Sequence, residues 1–343
     1  MSGGLVVVLG AGASRGVKIP KGTRPECLPP LNADFFTQLQ KITTEKHGSV
    51  VKRVIRDVVD LFGSNFSLTL EDYFTQLEFF LGAVDIASRH PEFERSDFVR
   101  KRENLMAALS AVLEASTGDV MLKGGCAAHR LLVQHLGQGD AVISFNYDCL
   151  MDDALRVAGD SKWHPRWGYC FPLRGYTLNG TEHWTPSSPG DKDTSIRLLK
   201  LHGSVNWQLP EGEGREITLK QRLHQQRGVP RFTIIPPVWN KNIASHQIFR
   251  RIWREAAARL RAAKVIAIVG FSFVPTDLYA QSLFRIALGD RSHLEALVVA
   301  NPDHNARFRI RQVFDVPLQQ RRALLRQYKD FSSLCEALPE ALG

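Results

Sequence analysis

The sequence predicts an α/β protein with a doubly wound, mostly parallel sheet. Two observations carry this prediction. Short apolar runs rich in valine and isoleucine alternate along the chain with longer stretches of helical periodicity. Five of these runs are followed by glycine or a small polar residue. Because parallel sheets bind ligands at the carboxyl ends of their strands, these five strand ends are where we expect a site.

Length and composition fit a protein with a sizeable core. The chain has 343 residues, of which 44% are hydrophobic, enough for two domains or for one domain with a large insert. No apolar run approaches the roughly 20 residues of a membrane span, and the N-terminus lacks the features of a signal peptide. We therefore expect a cytoplasmic protein. A net charge of +9 permits contact with nucleic acid or acidic ligands, but arginine-rich helices give the same balance.

Cysteine and histidine spacing indicates neither a disulfide framework nor a metal site. Five scattered cysteines include no C-x-x-C pair, and the histidines lack the spacing of metal ligands. We therefore expect no bound metal. The residues concerned are Cys27, Cys126, Cys149, Cys170 and Cys335, with His164, His183, His224 and His246.

The first predicted strand, residues 5–9, leads into a glycine loop. Gly10 and Gly12 fit the dinucleotide fingerprint G-x-G-x-x-G, but Arg15 stands where the third glycine belongs. Such a loop is either a cradle for phosphate or a structural turn. The proline-rich stretch from Val17 to Pro30 follows it and could lie over a ligand.

Helical periodicity then dominates a long block, residues 33–137, which we interpret as a helical insert on one face of the sheet. Its helices are predicted at about 33–46, 49–62, 69–88, 96–115 and 127–136. Residues 159–195 are rich in Trp, Tyr, Gly and Pro and predict a small loop-rich subdomain with short strands. Further strands are predicted at 141–145, 196–201, 231–235, 265–269 and 294–300. Further helices are predicted from just after Asp148 to about residue 158, at 243–263 and at 276–288. A catalytic domain of residues 1–305 would then precede a helical, arginine-rich extension, 306–343.

The motifs at the strand ends, taken in order, resemble the Sir2 family and most of all its divergent bacterial branch. They are Gly10-Ala11-Gly12-Ala13-Ser14, Phe145-Asn146-Tyr147-Asp148, Leu201-His202-Gly203-Ser204, Pro236-Pro237-Val238-Trp239, Gly270-Phe271-Ser272 and Asn301. The resemblance implies a Rossmann-like domain that binds NAD. It also implies that the first loop holds the pyrophosphate, through Gly10, Ala11, Gly12 and Ser14, and that the last strand ends face the adenosine half, through Gly270, Ser272 and Asn301.

Three residues would carry the chemistry that the resemblance implies. Asn146 would contact the nicotinamide ribose and orient the attacking group, Asp148 would accept a hydrogen bond from the carboxamide, and His202 would be the general base. A histidine titrating near neutral pH suits proton removal from water. Two of them have a plainer interpretation, His202 as a core histidine and Asp148 as the cap of the next helix.

The sequence departs from protein-deacylating sirtuins in three ways, the first being Gly-Phe-Ser at 270–272 in place of the usual Gly-Thr-Ser. Residues 204–264 contain no cysteine, so the zinc ribbon of that family is absent, and the helical block is longer than its counterpart. Bacterial Sir2-like proteins of this kind mostly consume NAD in anti-phage defence, often with a HerA-type ATPase or an Argonaute-like protein. The resemblance therefore implies low basal activity, held down by assembly or by the loop after Arg15.

The leading hypothesis is an NAD+ glycohydrolase, with NAD+ as substrate, that forms a homo-oligomer and is activated by a protein partner. An NAD-dependent deacylase or ADP-ribosyltransferase, and a non-catalytic NAD- or ADP-ribose-sensing subunit, are the alternatives. A basic cluster near the C-terminus is interpreted first as a solvated helical surface, and a patch for nucleic acid or an acidic partner is the alternative. Its members are Arg307, Arg309, Arg311, Arg321, Arg322, Arg326 and Lys329.

Overall fold

The computed structural model describes residues 4–16, 19–86, 94–175, 177–178, 181–193, 195–209, 216–220, 233–239, 247–289, 293–320 and 323–342. Some predictions fall on other residues and lie outside this description. They concern Val17 and Lys18 of the proline-rich loop, the first residues of the helix predicted at 243–263, and His224, His246, Arg321 and Arg322.

A six-stranded parallel sheet forms the centre of the molecule and confirms the predicted fold class. Its strands are β1 (Leu5–Leu9), β2 (Ala141–Ser144), β3 (Arg197–Lys200), β4 (Val265–Val269), β5 (Ala296–Ala300) and β6 (Leu324–Tyr328). Their spatial order is β6-β5-β4-β1-β2-β3, the order of a Rossmann fold. The order in which strands are added to the sheet therefore reverses between β1 and β4, and a ligand crevice is expected where these two strands end.

The central strands are apolar along their whole length because both faces of the sheet are covered. All five residues of β1 and of β5 are buried, as expected for parallel strands between helical layers. β1 pairs in register with β4, from Leu5 opposite Val265 to Leu9 opposite Val269. This register brings the loops after the two strands to the same height.

The helical insert is present as predicted, with some boundaries shifted. It consists of a 3₁₀ turn (Asn32–Asp34), α2 (Phe35–Gln40), α3 (Glu45–Phe62), α4 (Leu70–Ile86), α5 (Arg95–Leu122) and α6 (Ala127–His135), and the short α1 (Ala11–Arg15) precedes it. The single helix expected at 33–46 is interrupted, because the Glu26 carboxylate accepts hydrogen bonds from the backbone N–H groups of Thr43 and Thr44. The expected capping box is present, since Thr69 and Asp72 bond each other's backbone N–H groups.

Among the described residues, α5 is the one helix that is long and apolar enough to cross a membrane by length and composition. Of its apolar stretch, 56% is buried inside the protein. It packs against α2, α3 and α4 as the central helix of the insert. Its apolar character is explained by this packing.

The small subdomain is built around aromatic side chains. It contains a 3₁₀ turn (Asp160–Lys162), α8 (Pro165–Gly168) and the two-stranded pair Thr177–Leu178 and Thr181–Glu182. A three-stranded sheet joins Leu173–Gly175, Ile217–Leu219 and Trp207–Gln208, and another pair joins Gly203–Ser204 to Thr233–Ile234. Trp163, Tyr169 and Trp207 are fully buried and meet edge to face. In the described part of 159–195, the helices and strands are all short.

The C-terminal part differs from the predicted helical extension, because it contains β6. The remaining helices are α7 (Leu150–Ala158), α9 (Gln247–Ala262), α10 (Leu278–Ala287), α11 (His304–Val313), a π-helical turn (Val316–Gln320), α12 (Phe331–Glu336) and α13 (Leu338–Leu342). The residues of β6, Leu-Leu-Arg-Gln-Tyr, are mostly good helix formers. Pairing with β5, from Ala296 opposite Leu324 to Ala300 opposite Tyr328, overrides that local preference.

Candidate active site

A cavity of about 660 Å³ lies at the carboxyl ends of the strands, where the strand order reverses. It is lined by all of the predicted site residues except Gly10. They are Ala11, Gly12, Ser14, Asn146, Asp148, His202, Gly270, Ser272 and Asn301. The sheet therefore brings together residues that are up to about 290 positions apart in the sequence, as the parallel topology requires.

Three glycines let the loops after β1 and β4 pack backbone against backbone. The Gly12 N–H donates to the Gly270 carbonyl at 2.9 Å. A Cβ atom on Gly12 would lie 2.8 Å from the Gly270 Cα, and one on Gly10 would lie 2.5 Å from the Phe271 Cα. The missing side chain of Gly12 leaves room for the loop after β4, and Gly12 also lines the cavity in which a pyrophosphate is expected.

Gly270 is the position where this packing is least tolerant. Its φ of +59° is a left-handed conformation, and a Cβ atom there would lie 2.1 Å from the Ala13 nitrogen. We expect Gly270→Ala to lower the free energy of unfolding by about 2–5 kcal/mol, through backbone strain and overpacking. Gly48→Ala is the control, because this helical glycine has nothing within 4 Å of the added carbon; it should be neutral or slightly stabilising. Equal urea midpoints for Gly270→Ala and the wild type would contradict this description.

Asn146 is held by the glycine loop. Its Nδ2 donates to the Gly10 carbonyl at 2.9 Å and to the Ser14 Oγ at 3.0 Å. Because the Gly10 carbonyl can only accept, the hydrogen bonds assign the amide orientation. The Nδ2 is therefore committed to the protein, and the Oδ1 is the atom able to meet a ligand.

Ser14 and Asp148 support Asn146. The Ser14 hydroxyl donates to the Asp148 Oδ2 at 2.6 Å, and the Asp148 Oδ1 accepts from the Leu150 N–H at 3.0 Å, at the start of α7. The Asp148 carboxylate thus contacts the first turn of α7, whose N-cap residue is Cys149. The Ser14 hydroxyl, which also lines the cavity, thus links Asn146 to Asp148.

His202 lies between aromatic rings at the end of β3. Phe145 meets its imidazole edge to face at 5.1 Å, and Tyr147 lies along it at 6.2 Å with 30° between the planes. The His202 carbonyl accepts from the Ile235 N–H at 2.9 Å. Gly203 follows with a φ of +80°, where a Cβ atom would lie 2.2 Å from the Thr233 carbonyl. The imidazole is thus buried, aromatic-walled and directed toward the cavity.

The end of the cavity that is expected to hold the adenosine is shaped mainly by backbone groups. The Asn301 Nδ2 donates to the Phe271 carbonyl at 3.2 Å, and its Oδ1 accepts from the Asp303 N–H at 3.0 Å. Arg309, from the basic cluster, donates to the Ser272 carbonyl at 2.8 Å. Asn301 therefore fixes the loops after β4 and β5, and Ser272 and Arg309 form part of the cavity wall.

Arg15, which stands where the dinucleotide fingerprint has its third glycine, binds the end of the proline-rich loop. Its guanidinium binds both carboxylate oxygens of Asp34, at 2.7 and 2.6 Å, and its Nε donates to the Pro29 carbonyl. Burial raises the pKa of Asp34, but hydrogen bonds, that of Arg15 foremost, bring this pKa below its ordinary value. Pro29 and Pro30 consequently lie against the cavity, as predicted for this loop.

Two buried acidic residues of the cavity wall were not predicted. Glu71 lies in the first turn of α4, and Asp277 precedes α10; both are buried. In sequence each has the ordinary pattern of an acid at a helix start, which gives no signal of a site. Both lie near Tyr147, and Asp277 also lies near His202, through tertiary packing of α4 and α10.

Comparisons with known proteins gave matches among solved structures. No family model matches the chain, and no curated protein matches it. A Sir2 homolog–NAD complex is similar at 14% identity and a TM-score of 0.44, covering 99% of this chain and 90% of that one. Sir2 with the inhibitor EX-527, 2′-O-acetyl-ADP-ribose and a deacetylated p53 peptide gives 15% and 0.40, and Sir2 with a p53 peptide and NAD+ gives 15% and 0.38; each match covers 98% of this chain and 92% of the other. These solved structures are of the family that the motifs resemble.

Proposed function

We propose that the chain is an NAD+ glycohydrolase, which cleaves NAD+ with water to nicotinamide and ADP-ribose. The observation that carries the proposal is the convergence of Asn146 and His202 on one cavity at the switch point of the sheet. Crevices at this place in Rossmann-type sheets bind dinucleotides, and the cavity volume lies within the usual range for ligand sites.

The proposed reaction needs few groups. As the bond between the ribose C1′ and the pyridinium nitrogen breaks, its electron pair goes to the ring and nicotinamide leaves uncharged. A water oxygen bonds to C1′, and the water proton passes to His202 and then to solvent. Positive charge develops on the ribose in the transition state, and the buried carboxylates of the cavity wall would stabilise this charge electrostatically. Asn146 would orient the ribose or the water through its Oδ1.

Product analysis tests this proposal. We expect purified protein incubated with NAD+ to release nicotinamide and ADP-ribose in equal amounts, with no acylated peptide present. Chromatographic product ratios are the measurement, made with and without candidate partner proteins and nucleic acid. Release that requires an acyl-lysine peptide would indicate a deacylase. ADP-ribose attached to protein would indicate a transferase, and nucleotide binding without turnover under any condition would indicate a sensing subunit.

The cellular role is proposed from the motif resemblance. We infer a cytoplasmic, homo-oligomeric NAD-depleting effector of anti-phage defence that is switched on by a partner such as a HerA-type ATPase or an Argonaute-like protein. Its basal turnover should be low, because uncontrolled hydrolysis of NAD+ would harm the cell. The loop held by Arg15 and the basic residues near the C-terminus are the proposed points of control.

A further inference from the structure

Asp277 reaches His202 from a different part of the fold. It caps α10, where its Oδ1 accepts from the Ala280 N–H at 3.2 Å. Its Oδ2 lies 3.7 Å from the His202 Nε2. The carboxylate is 4% exposed. One oxygen thus serves the helix and the other faces the imidazole.

Other ionisable groups around the imidazole add to a negative environment. Glu71 accepts a hydrogen bond from the hydroxyl of Thr276, the neighbour of Asp277, at 2.8 Å. Burial raises the pKa of Tyr147, and the carboxylates of Asp277 and Glu71 raise it further, so this phenol stays neutral. Asp148 lines the same cavity, with its oxygens bonded to Ser14 and Leu150.

The positive groups of the cavity wall are engaged away from His202. Arg15 binds Asp34 and the Pro29 carbonyl, and Arg309 binds the Ser272 carbonyl and lies 3.6 Å from the Asp303 carboxylate. Among the described residues, the charged group that faces the imidazole is therefore the Asp277 carboxylate. In a water-poor site such a charge favours the protonated ring.

We propose that Asp277 is the positioning residue of His202, raising its basicity and stabilising the imidazolium that forms as water loses its proton. The catalytic part of this inference rests on the proposed glycohydrolase function. At 3.7 Å the contact is an electrostatic one, so it depends on the charge of Asp277 rather than on hydrogen-bond alignment. Asparagine at this position removes the charge and keeps a good helix cap.

The direct test is the titration of His202 in the purified chain, without substrate, followed by NMR of ¹⁵N-labelled histidine and assigned with His202→Gln. An opposite charge at this distance shifts a pKa by roughly one unit or more. Asp277→Asn should therefore lower the titration midpoint of His202 by about that amount, and Glu71→Gln by less. Asp277→Ser, which also keeps the cap, is the second variant should the first fail to fold.

Asp330→Asn is the matched control. Asp330 also caps a helix and lines the same cavity, but its carboxylate bonds Ser333 instead of an imidazole. This variant should leave the His202 midpoint in place. An unchanged midpoint in folded Asp277→Asn and Asp277→Ser, or an equal shift in the control, would overturn the proposal.

Kinetics separate this inference from the proposed function. In Asp277→Asn the acid limb of kcat/KM for NAD+ should move to lower pH together with the NMR midpoint, and kcat on the plateau should fall because the base is weaker, with KM little changed. A shifted midpoint in a protein that never releases nicotinamide would support the electrostatic contact and overturn the catalytic role. Nicotinamide release with an unmoved acid limb would leave the function standing and remove Asp277 from it.

Discussion

Replacing His202 or Asn146 by alanine should abolish nicotinamide release while the protein stays folded and still binds NAD+. Loss of a general base typically lowers a rate by about 10²–10⁴-fold. Loss of orientation at Asn146 removes a contribution of comparable size. Groups that act mainly in the transition state change kcat far more than KM.

The structure explains why both substitutions should spare the fold. The His202 side chain is held by ring contacts with Phe145 and Tyr147, and the turn itself is fixed by the backbone bond from Ile235. Asn146→Ala removes two donors to the Gly10 carbonyl and Ser14, but the contact between Gly12 and Gly270 stays. We therefore expect a smaller loss of stability than for Gly270→Ala.

Turnover and nucleotide affinity should be measured on the same preparations. His135→Ala and Asn305→Ala are matched controls, because both residues are exposed and neither lines the cavity; both variants should keep the wild-type rate. If His202→Ala kept a third of that rate, His202 would not be the base. A loss of activity accompanied by an equal loss of NAD+ affinity would instead indicate a role in binding.

The strand ends could be predicted from sequence because each carries its own local signal. A valine-rich run followed by Gly10 and Gly12, or a strand followed by His202 and Gly203, is visible without knowledge of the fold. The parallel topology then brings such positions together. Of these strand-end residues, Gly12 and His202 line the cavity.

The partners of those residues could not be predicted, since they depend on tertiary packing. Nothing in sequence indicates that the Ser14 hydroxyl meets Asp148, or that Asp277 faces His202. The strand β6 was missed for a related reason, because its residues favour a helix until β5 offers a paired edge. Local signals thus define which residues lie at the site, and packing defines what each of them does.

Lys200→Met should be among the most destabilising single substitutions in the molecule. The Lys200 ammonium is 1% exposed and donates to the Asp152 Oδ2 at 2.9 Å, to the Asp148 carbonyl at 2.5 Å and to the Ser204 Oγ at 2.5 Å. The other Asp152 oxygen accepts from the Tyr169 hydroxyl. Removing one partner of such a buried pair leaves an uncompensated charge and costs about 3–5 kcal/mol.

The pair also has a pH signature. Burial lowers the pKa of Lys200, but the Asp152 carboxylate and neighbouring groups raise it by more, so it exceeds the ordinary value of 10.5. The folded state therefore holds this proton more tightly than the unfolded chain. The stabilisation is present in full below that ordinary value and is lost as the pH rises through the folded-state pKa.

Urea unfolding of three variants measures how much this ion pair stabilises the fold, and NAD+ turnover of the double variant tests whether the pair also fixes the site. Lys200→Met alone should lower the free energy of unfolding by about 3–5 kcal/mol. Lys200→Met combined with Asp152→Asn should recover part of this loss, because the unpaired charge of Asp152 is gone. Lys264→Met is the control, since its pair with Glu295 is more than 60% exposed and should contribute less than about 1 kcal/mol. Lys200 joins the loop after β2, which carries Asn146, to the turn after β3, which carries His202. The double variant should therefore fold but turn over NAD+ slowly. Wild-type turnover in that variant would show that Asn146 and His202 keep their places without the lysine.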